Sequence, residues 1–491
     1  MDKIMRHAVV ILSHGEIGHL LRLIKFFDDD FRIYVHVDRH YPLTPKESAD
    51  ILSAHHFIKL FSRYKVFWGG RSVLEAELFL LREVVKDGDT DYVHILSGLD
   101  YPIKPLSGFK TFFKDNDGCE FMQWHRFPYE NWEEGTFRRL DLFRLNDYIS
   151  YRTEKGKKLI DRFNSWQIRH RVMRGIPRHY PLLYGGSNWM SLTAACVRHI
   201  ITSYDSWKGF FRRLRFTFAP DEIFFQTLIK NSSFGSKVVN DNLRLILWDN
   251  NGNGPLELDE RNWWQITVSP AFFMRKINPI RSNKLLSMID RYILPEDKVR
   301  IGLNGSWNHS TLNGHAFDSS LARCIGELCD MLFIRTVYDF GCGVGWYVRY
   351  LRDRGLDVQG YDGNGNVREI SSLFFNNGFY CQQIDLSVPV KSDEKADLVM
   401  SLEVGEHIPP EEEGVFIDNI VTNAEKYVLL SWAIPGQNGD GHINCRENRY
   451  IVSELKKRGF RLNVPVSILL RKNASLPWMT KTLMFFENEK E

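Results

Sequence analysis

Two stretches carry residue types at spacings that could do chemistry. The first is 216–230, FTFAPDEIFFQTLIK. An aromatic run leads to Ala219-Pro220, the carboxylates Asp221 and Glu222 follow, and an apolar segment of helical spacing begins. Proline suits the first turn of a helix, and acids beside it are favoured by free N–H groups and the helix dipole. Two carboxylates at a helix mouth could reach a substrate hydroxyl and take its proton. A capped helix start is the plainer reading of the same residues. The second stretch is 339–345, DFGCGVG, between a strand pattern and a helix pattern. A dinucleotide fingerprint G-x-G-x-x-G would need glycine at 346 or 348, which are Trp and Val, so nicotinamide and flavin are disfavoured. Gly341, Gly343 and Gly345, behind Asp339, let the backbone approach an uncharged nucleoside-linked ligand. Asp362 at the next strand end can take both ribose hydroxyls. Asp385 is placed to meet an adenine amino group, and Glu403 stands at the fourth strand end.

The elements that must position these residues alternate between strand and helix. Residues 7–12, 31–37 and 92–96 read as buried strands, and 17–27 and 68–85 as helices, the latter entered through Gly69-Gly70. His14 and Gly15 follow the first strand, Asp38 ends the second, and Asp100 lies in SGLDYP after the third. Acids just past strand ends in an α/β pattern mark a ligand crevice. Further on, 106–113 reads as a helix, 119–124 and 184–192 as strands, 238–248 and 263–268 as strand-like, and 284–292 as a helix. Glu120 on the 119–124 strand could bind acceptor hydroxyls. A second pattern starts after about residue 295. It comprises helix 321–332, strand 336–340, helix 346–354, strands 357–361, 379–384, 396–402 and 427–432, and helix 449–457. A closing antiparallel hairpin is expected from 460–470 and 481–486. The expected organisation is two α/β domains, 1–294 and 295–491, the second doubly wound.

Composition narrows the function classes. The chain is 43% hydrophobic and 25% charged, as soluble globular proteins are, and its net charge of +3 demands no nucleic-acid partner. Seven cysteines show no zinc-site spacing and read as reduced thiols of a cytoplasmic protein, so no metal site is expected. No signal peptide and no run of about 18 apolar residues is present. Residues 150–180 hold Lys or Arg at 152, 155, 157, 158, 162, 169, 171, 174 and 178, with apolar residues interleaved. Such a surface could touch anionic membrane at the inner face or a pyrophosphate-linked acceptor, or it could be a solvated helix face.

Two family resemblances follow. DFGCGVG, GYDG, IDLS and SLEVGEHIP, in that order, resemble the class I S-adenosylmethionine-dependent methyltransferases. The resemblance implies S-adenosylmethionine as cofactor. His407 in EVGEHI and His442 in GDGHINC are then candidate bases for an acceptor hydroxyl, or else a fold-bound and a surface histidine. LSHGEIGHLLRLI, IYVHVD, WGGRSVLEAEL, YVHILSGLDYPIKP, GGSNWMSLT and APDEIFFQTLI resemble the core-2/I-branching enzyme and peptide-xylosyltransferase family over nearly all of residues 6–290. That resemblance implies a GT-A-type fold, a UDP-sugar donor, inversion without a metal, and Glu222 as general base. It implies an Arg and a Lys on the diphosphate, which alignment through MRKINPIRSNK puts at Arg261 and Lys284. Asp38 would sit near uracil or ribose, with His14 and Gly15 lining the same crevice. Asp221 would orient the loop or cap the helix near the acceptor.

The expectation is thus a bifunctional enzyme acting on a glycan or lipid-linked saccharide. A glycosyltransferase, first N-acetylglucosaminyl by family and then xylosyl or glucuronosyl, is joined to a sugar O-methyltransferase. The alternative is a methyltransferase of a non-glycan substrate that carries an inactive glycan-binding module.

Overall fold

The structure, a computed structural model, describes residues 4–129, 138–175, 180–249, 254–296, 299–375 and 378–490. It divides into two compact units, one of Met1–Arg261 with Ser269–Ser287, the other of Asn262–Val268 with Met288–Glu491. The boundary expected at 294/295 therefore falls earlier, and a short segment before it belongs to the second unit.

In the first unit, His7–Ser13, Phe31–Val37, Ile58–Phe61 and Tyr92–Ser97 pair in parallel. They form one side of a seven-stranded sheet, with Ile58–Phe61 at its edge, and Met190–Thr193, Glu120–Met122 and Val238–Val239 extend it beyond Tyr92–Ser97. Met190–Thr193 runs antiparallel to Tyr92–Ser97. The strands are apolar on both faces because helices cover both. Leu20, Leu23, Phe109 and Phe113, from helices Ile17–Ile24 and Leu106–Asp115, pack on one face. Leu74, Leu78, Val197, Phe224 and Phe225, from helices Arg71–Asp87, Ala194–Thr202 and Asp221–Lys230, pack on the other. A small second sheet joins Arg244–Ile246, Phe273–Arg275 and Tyr101–Pro102. The 184–192 stretch is not one strand: Tyr184–Gly185 and Met190–Thr193 are separate. Helix Arg71–Asp87 starts after Gly69-Gly70, not at 68. The carboxylate of Asp147 accepts from Arg71 N and Ser72 N at 2.9 and 3.0 Å, and a side chain on Gly70 would occupy its place.

The second unit is a seven-stranded sheet whose order, from one edge, is Cys381–Gln383, Asp357–Asp362, Thr336–Phe340, Ala396–Leu402, Ala424–Ser431, Met484–Asn488 and Phe460–Leu462. The first five strands are parallel. Met484–Asn488 runs antiparallel to both its neighbours. The last strands do pair antiparallel, but they are not a simple hairpin, because helix Val464–Asn473 lies between them. Asn463 explains the break: its side chain accepts from Val466 N, and proline follows it in the first turn.

The 263–268 segment, expected to be strand-like, is the helix Trp263–Thr267. Trp263, Ile266 and Thr267 are its buried residues, which is i, i+3, i+4 spacing and not alternation. Trp263 faces Phe374 and Tyr292, and Trp264 faces Phe317 and Phe374. Among the described residues no helix is long and apolar enough to cross a membrane.

Trp263→Ala should cost about 3–5 kcal/mol, as expected for a large aromatic removed from a core. Hydrogen exchange locates the effect. Protection should fall in Ser319–Met331 and Trp346–Asp353 and hold in His7–Ser13. Loss confined to the first unit would contradict this assignment of the helix.

Candidate functional site

Parallel registration brings Ser13, Val37 and Ser97 to the same edge of the first sheet. The loops that follow form a crevice. Gly15 has φ +102 and faces the Tyr41 ring. His14 is half-buried, and burial, then Arg152, pushes it down to about 4, so it is neutral at neutral pH. One oxygen of Asp38 accepts from His40 N, His40 Nδ1 and Val66 N at 2.9–3.0 Å, which pins the next two loops.

Asp100 has a different place from the expected one. It is fully buried, with Oδ2 on Ser97 N at 3.0 Å and Oδ1 on Arg275 Nη1 at 3.1 Å. It orients Arg275 and is not a surface for a donor. The Arg275 guanidinium lies 3.9 Å from the Trp189 ring centroid, a cation–π contact, and feels the charge of Glu222. Strand Phe273–Arg275 delivers this residue to the crevice. Arg261 and Lys284 are not brought there. Their side chains are 84% and 70% exposed, and each pairs with an acid of a neighbouring turn, Asp259 and Glu260. The cations acting on His14 are instead Arg152, Lys276 and Arg275. Arg275-Lys276 opens the motif MRKINPIRSNK, whereas Lys284 closes it and Arg261 lies before it.

The structure separates the two carboxylates of the opening stretch. Ala219 adopts φ +47, and its N–H bonds to Gly69 O, which fixes the turn before helix Asp221–Lys230. Asp221 points inward. It is buried, its Oδ1 has no hydrogen-bond partner, and its carboxyl is held by its own backbone N–H at the first position of the helix. Burial, then Glu222, pushes it up to about 8. Glu77 beside it is fully buried and raised well above the ordinary range by burial and then by Asp221. Its Oε1 accepts from Asn188 Nδ2 at 3.2 Å. Glu222 is the member of the trio that meets solvent, 32% exposed, with Oε2 held by Arg139 Nη1 at 2.5 Å. Glu120 lies at the opposite edge of the sheet. It is fully buried, and Thr193 N and Oγ1 donate to its two oxygens, so it fixes the start of helix Ala194–Thr202 and is not open to an acceptor.

In the second unit the strand ends frame a cavity of about 390 Å³. Asp339, Gly341, Gly343, Asp362, Asp385, Glu403, His407 and His442 line it. Gly343 has φ +56, and a side chain there would meet the His315 ring. Asp362 accepts from Gly343 N at 2.7 Å and Asn364 N at 2.8 Å, one bond per oxygen, and each oxygen keeps a lone pair for a ligand hydroxyl. Burial holds it up at about 6. Asp339 is raised to about 8 by burial and then by Asp362, so it serves the loop as a neutral acid. Gly345 starts helix Trp346–Asp353 behind the loop. Asp385 accepts from Ser387 N and Oγ. Glu403, at φ +57, accepts from Gln437 Nε2 and Thr482 Oγ1. His407 Nδ1 lies 3.1 Å from Gly441 O, and His442 Nδ1 lies 3.1 Å from Gln437 O. Burial lowers His407 to about 4. The two rings meet edge to face, 5.0 Å apart, with Glu406 behind them.

Sequence reasoning missed Arg139, Arg275, Lys276, Trp189, Glu77 and Glu406. Glu77 and Glu406 carried a usable signal, since each is an acid inside an otherwise buried pattern. Arg139 carried none. In the 150–180 stretch, helix Glu154–Arg169 buries Ile160, Asn164 and Gln167. It exposes Lys155, Lys157, Lys158, Leu159, Arg162, Trp166 and Ile168. Arg174 instead bonds to Phe216 O, and Arg178 lies outside the described residues.

Known proteins resemble each unit. Residues 8–269 match the family model of the Core-2/I-Branching enzyme, and residues 338–421 match a methyltransferase domain. Xylosyltransferase 1 of Rattus norvegicus is 26% identical over 316 residues, 59% of this chain and 35% of the relative. Xylosyltransferase oxt of Drosophila melanogaster is 23% identical over 360 residues, 66% of this chain and 38% of the relative. The chain thus spans about a third of the length of these relatives. Among solved structures, magnesium protoporphyrin IX methyltransferase from Synechocystis PCC 6803 aligns with 34% of this chain and 80% of its own, at 20% identity and TM-score 0.27. An amino pentose methyltransferase from Micromonospora echinaspora aligns with 36% and 92%, at 11% identity and TM-score 0.29. With the family model covering more than half of its residues, this chain belongs to the core-2/I-branching enzyme family, and it carries a class I methyltransferase domain behind the glycosyltransferase domain.

Proposed function

We propose that the chain is a bifunctional enzyme: an inverting, metal-independent UDP-sugar glycosyltransferase joined to an S-adenosylmethionine-dependent sugar O-methyltransferase. The observation that carries the first half is the splitting of Asp221 from Glu222. Inversion needs one ionised, accessible carboxylate on the acceptor side, and Glu222 is the solvent-facing acid of the trio. Arg139 fixes its orientation. The departing diphosphate needs positive charge, which Lys276 and Arg275 supply in this reading, with Asp100 and Trp189 holding Arg275 in place. His14, Gly15 and Asp38 line the donor crevice.

The second half is supported by the cavity. Asp362 would take the ribose hydroxyls of S-adenosylmethionine, Asp385 the adenine edge, and the 339–345 loop the methionine part. Bound S-adenosylmethionine supplies an electrophilic methyl group, and the protein's task is to align an acceptor hydroxyl with it. Joining the two activities raises the local concentration of one product at the second site. The donor sugar is N-acetylglucosamine, xylose or glucuronic acid, and the product belongs to a surface polysaccharide or glycolipid. All seven cysteines are unpaired thiols, as in a reducing compartment. The exposed basic and apolar residues of helix Glu154–Arg169 fit a surface that meets anionic lipid or a lipid-linked pyrophosphate acceptor.

Glu222→Gln should lower sugar transfer by about 10²–10⁴-fold with donor binding retained. Asp221→Asn should keep most turnover. It should also flatten the pH dependence of stability. A carboxyl raised to about 8 when folded stabilises fully below its unfolded value and loses that contribution as pH rises through about 8. Equal loss of turnover in both variants would refute the division of roles.

Lys276→Ala should weaken UDP-sugar binding by roughly tenfold, the size of one charge-assisted hydrogen bond, while Lys284→Ala changes it little. A chelator should leave sugar transfer intact. A strict requirement for Mn²⁺ or Mg²⁺ in that reaction contradicts this account of the diphosphate.

Asp362→Ala should weaken S-adenosylmethionine binding by at least tenfold, measured by calorimetry, and leave sugar transfer unchanged. Loss of both reactions would show that the two sites are not independent.

A further inference from the structure

Glu406, His407 and His442 bring three potential ligand atoms within 4.8 Å of one another. Glu406 is fully buried; neither oxygen has a well-aligned hydrogen bond, and the groups that act on the carboxyl are the backbone N–H groups of Glu406 and Ala433 and the Glu403 side chain. A buried carboxylate with poorly aligned partners is expensive. Glu403 faces it closely enough both to hydrogen-bond and to repel it, a contact of two acids that a shared proton or a cation relieves. A cation between the carboxylate and the histidines would remove both penalties.

The histidines are already turned to receive one. A backbone carbonyl only accepts hydrogen bonds, so each Nδ1, facing Gly441 O or Gln437 O, carries the ring proton. Each Nε2 is therefore left with its lone pair. Carbonyl partners fix metal-binding imidazoles in this same way. His442 Nε2 lies 4.0 Å from Glu406 Oε1, and a shared ion with bonds of about 2.0–2.2 Å would draw the two atoms about half an ångström closer. Two imidazoles with a carboxylate suit a first-row transition ion better than magnesium or calcium. Cysteine spacing gives no sign of this group, because its members come from the loop after Ala396–Leu402 and from the glycine-rich 439–442 turn.

We propose that Glu406, His407 and His442 hold a divalent first-row transition cation at the wall of the second unit's cavity, where it binds the acceptor hydroxyl. This replaces the expectation that either histidine is a free base. The chemical role rests on the methyltransferase reading above; the binding itself does not. In that role the cation lowers the pKa of the hydroxyl, whose proton passes to solvent water. The oxygen then forms its bond to the methyl carbon as the carbon–sulfur bond breaks, and that electron pair returns to sulfur.

The test is metal binding by the full chain, stripped with chelator and titrated with Mn²⁺ and with Zn²⁺ by calorimetry. The expected result is one saturable site, with nitrogen couplings from imidazole in the electron-spin-echo spectrum of bound Mn²⁺. Glu406→Gln and His442→Gln should each weaken the site at least about tenfold while S-adenosylmethionine still binds. Wild-type chain that binds S-adenosylmethionine and no cation overturns the proposal. So does cation binding without nitrogen coupling, or with unchanged affinity in both variants. If the cation binds with nitrogen coupling and S-adenosylmethionine does not bind at all, the methyltransferase reading fails and the cation site stands.

Discussion

Parallel pairing fixes where chemistry can occur in both units. Strands that run the same way end along one edge, and the loops that leave them must converge there. In the first unit this gathers the loops after Ser13, Val37 and Ser97, and in the second those after Phe340, Asp362 and Leu402. The antiparallel strands, Met190–Thr193 and Met484–Asn488, begin at those same edges and bring Trp189 and Thr482 to them. Glu120 shows the same constraint from the other side. It lies at the edge where the parallel strands begin, so its carboxylate serves the sheet.

Burial then sorts the acids that reach the right edge. Asp100 is paired with Arg275 and becomes part of that residue's support. Removing one partner of such a pair would leave a charge stranded, so its value is geometric precision at the crevice. Asp221 and Glu77 are buried without a cation and are held neutral. Glu222 keeps contact with water, which separates it from its neighbour more firmly than any feature of the sequence. Glu406 is the outlier, since it is buried against a second acid, Glu403, with ring nitrogens of His407 and His442 within 4.8 Å.

Much of this was legible in advance, for definite reasons. The central strands are continuous apolar runs that end in acids or glycines, so their existence and order could be read from residues 7–12, 31–37, 92–96, 336–340 and 396–402. The glycine loop at 339–345 announced itself by spacing. What could not be read was long-range. Trp263–Thr267 is short enough that helix and strand patterns cannot be told apart without knowing which side chains are covered. Asn463 restarts a helix inside an expected hairpin. Arg139 owes its place to the one-turn helix Arg138–Asp141, which has no local signature. Arg261 and Lys284 flank Arg275-Lys276 in the sequence, and only the strand Phe273–Arg275 reveals which cations face the crevice.

The central claim is that one chain has two separate transferase sites with different small-molecule ligands. Calorimetry on the full chain, with a panel of UDP-sugars and with S-adenosylmethionine, tests it most directly. The account predicts that at least one UDP-sugar binds with one-to-one stoichiometry and that S-adenosylmethionine binds equally well before and after it. Failure of every UDP-sugar to bind, or competition between the two ligands, would contradict it.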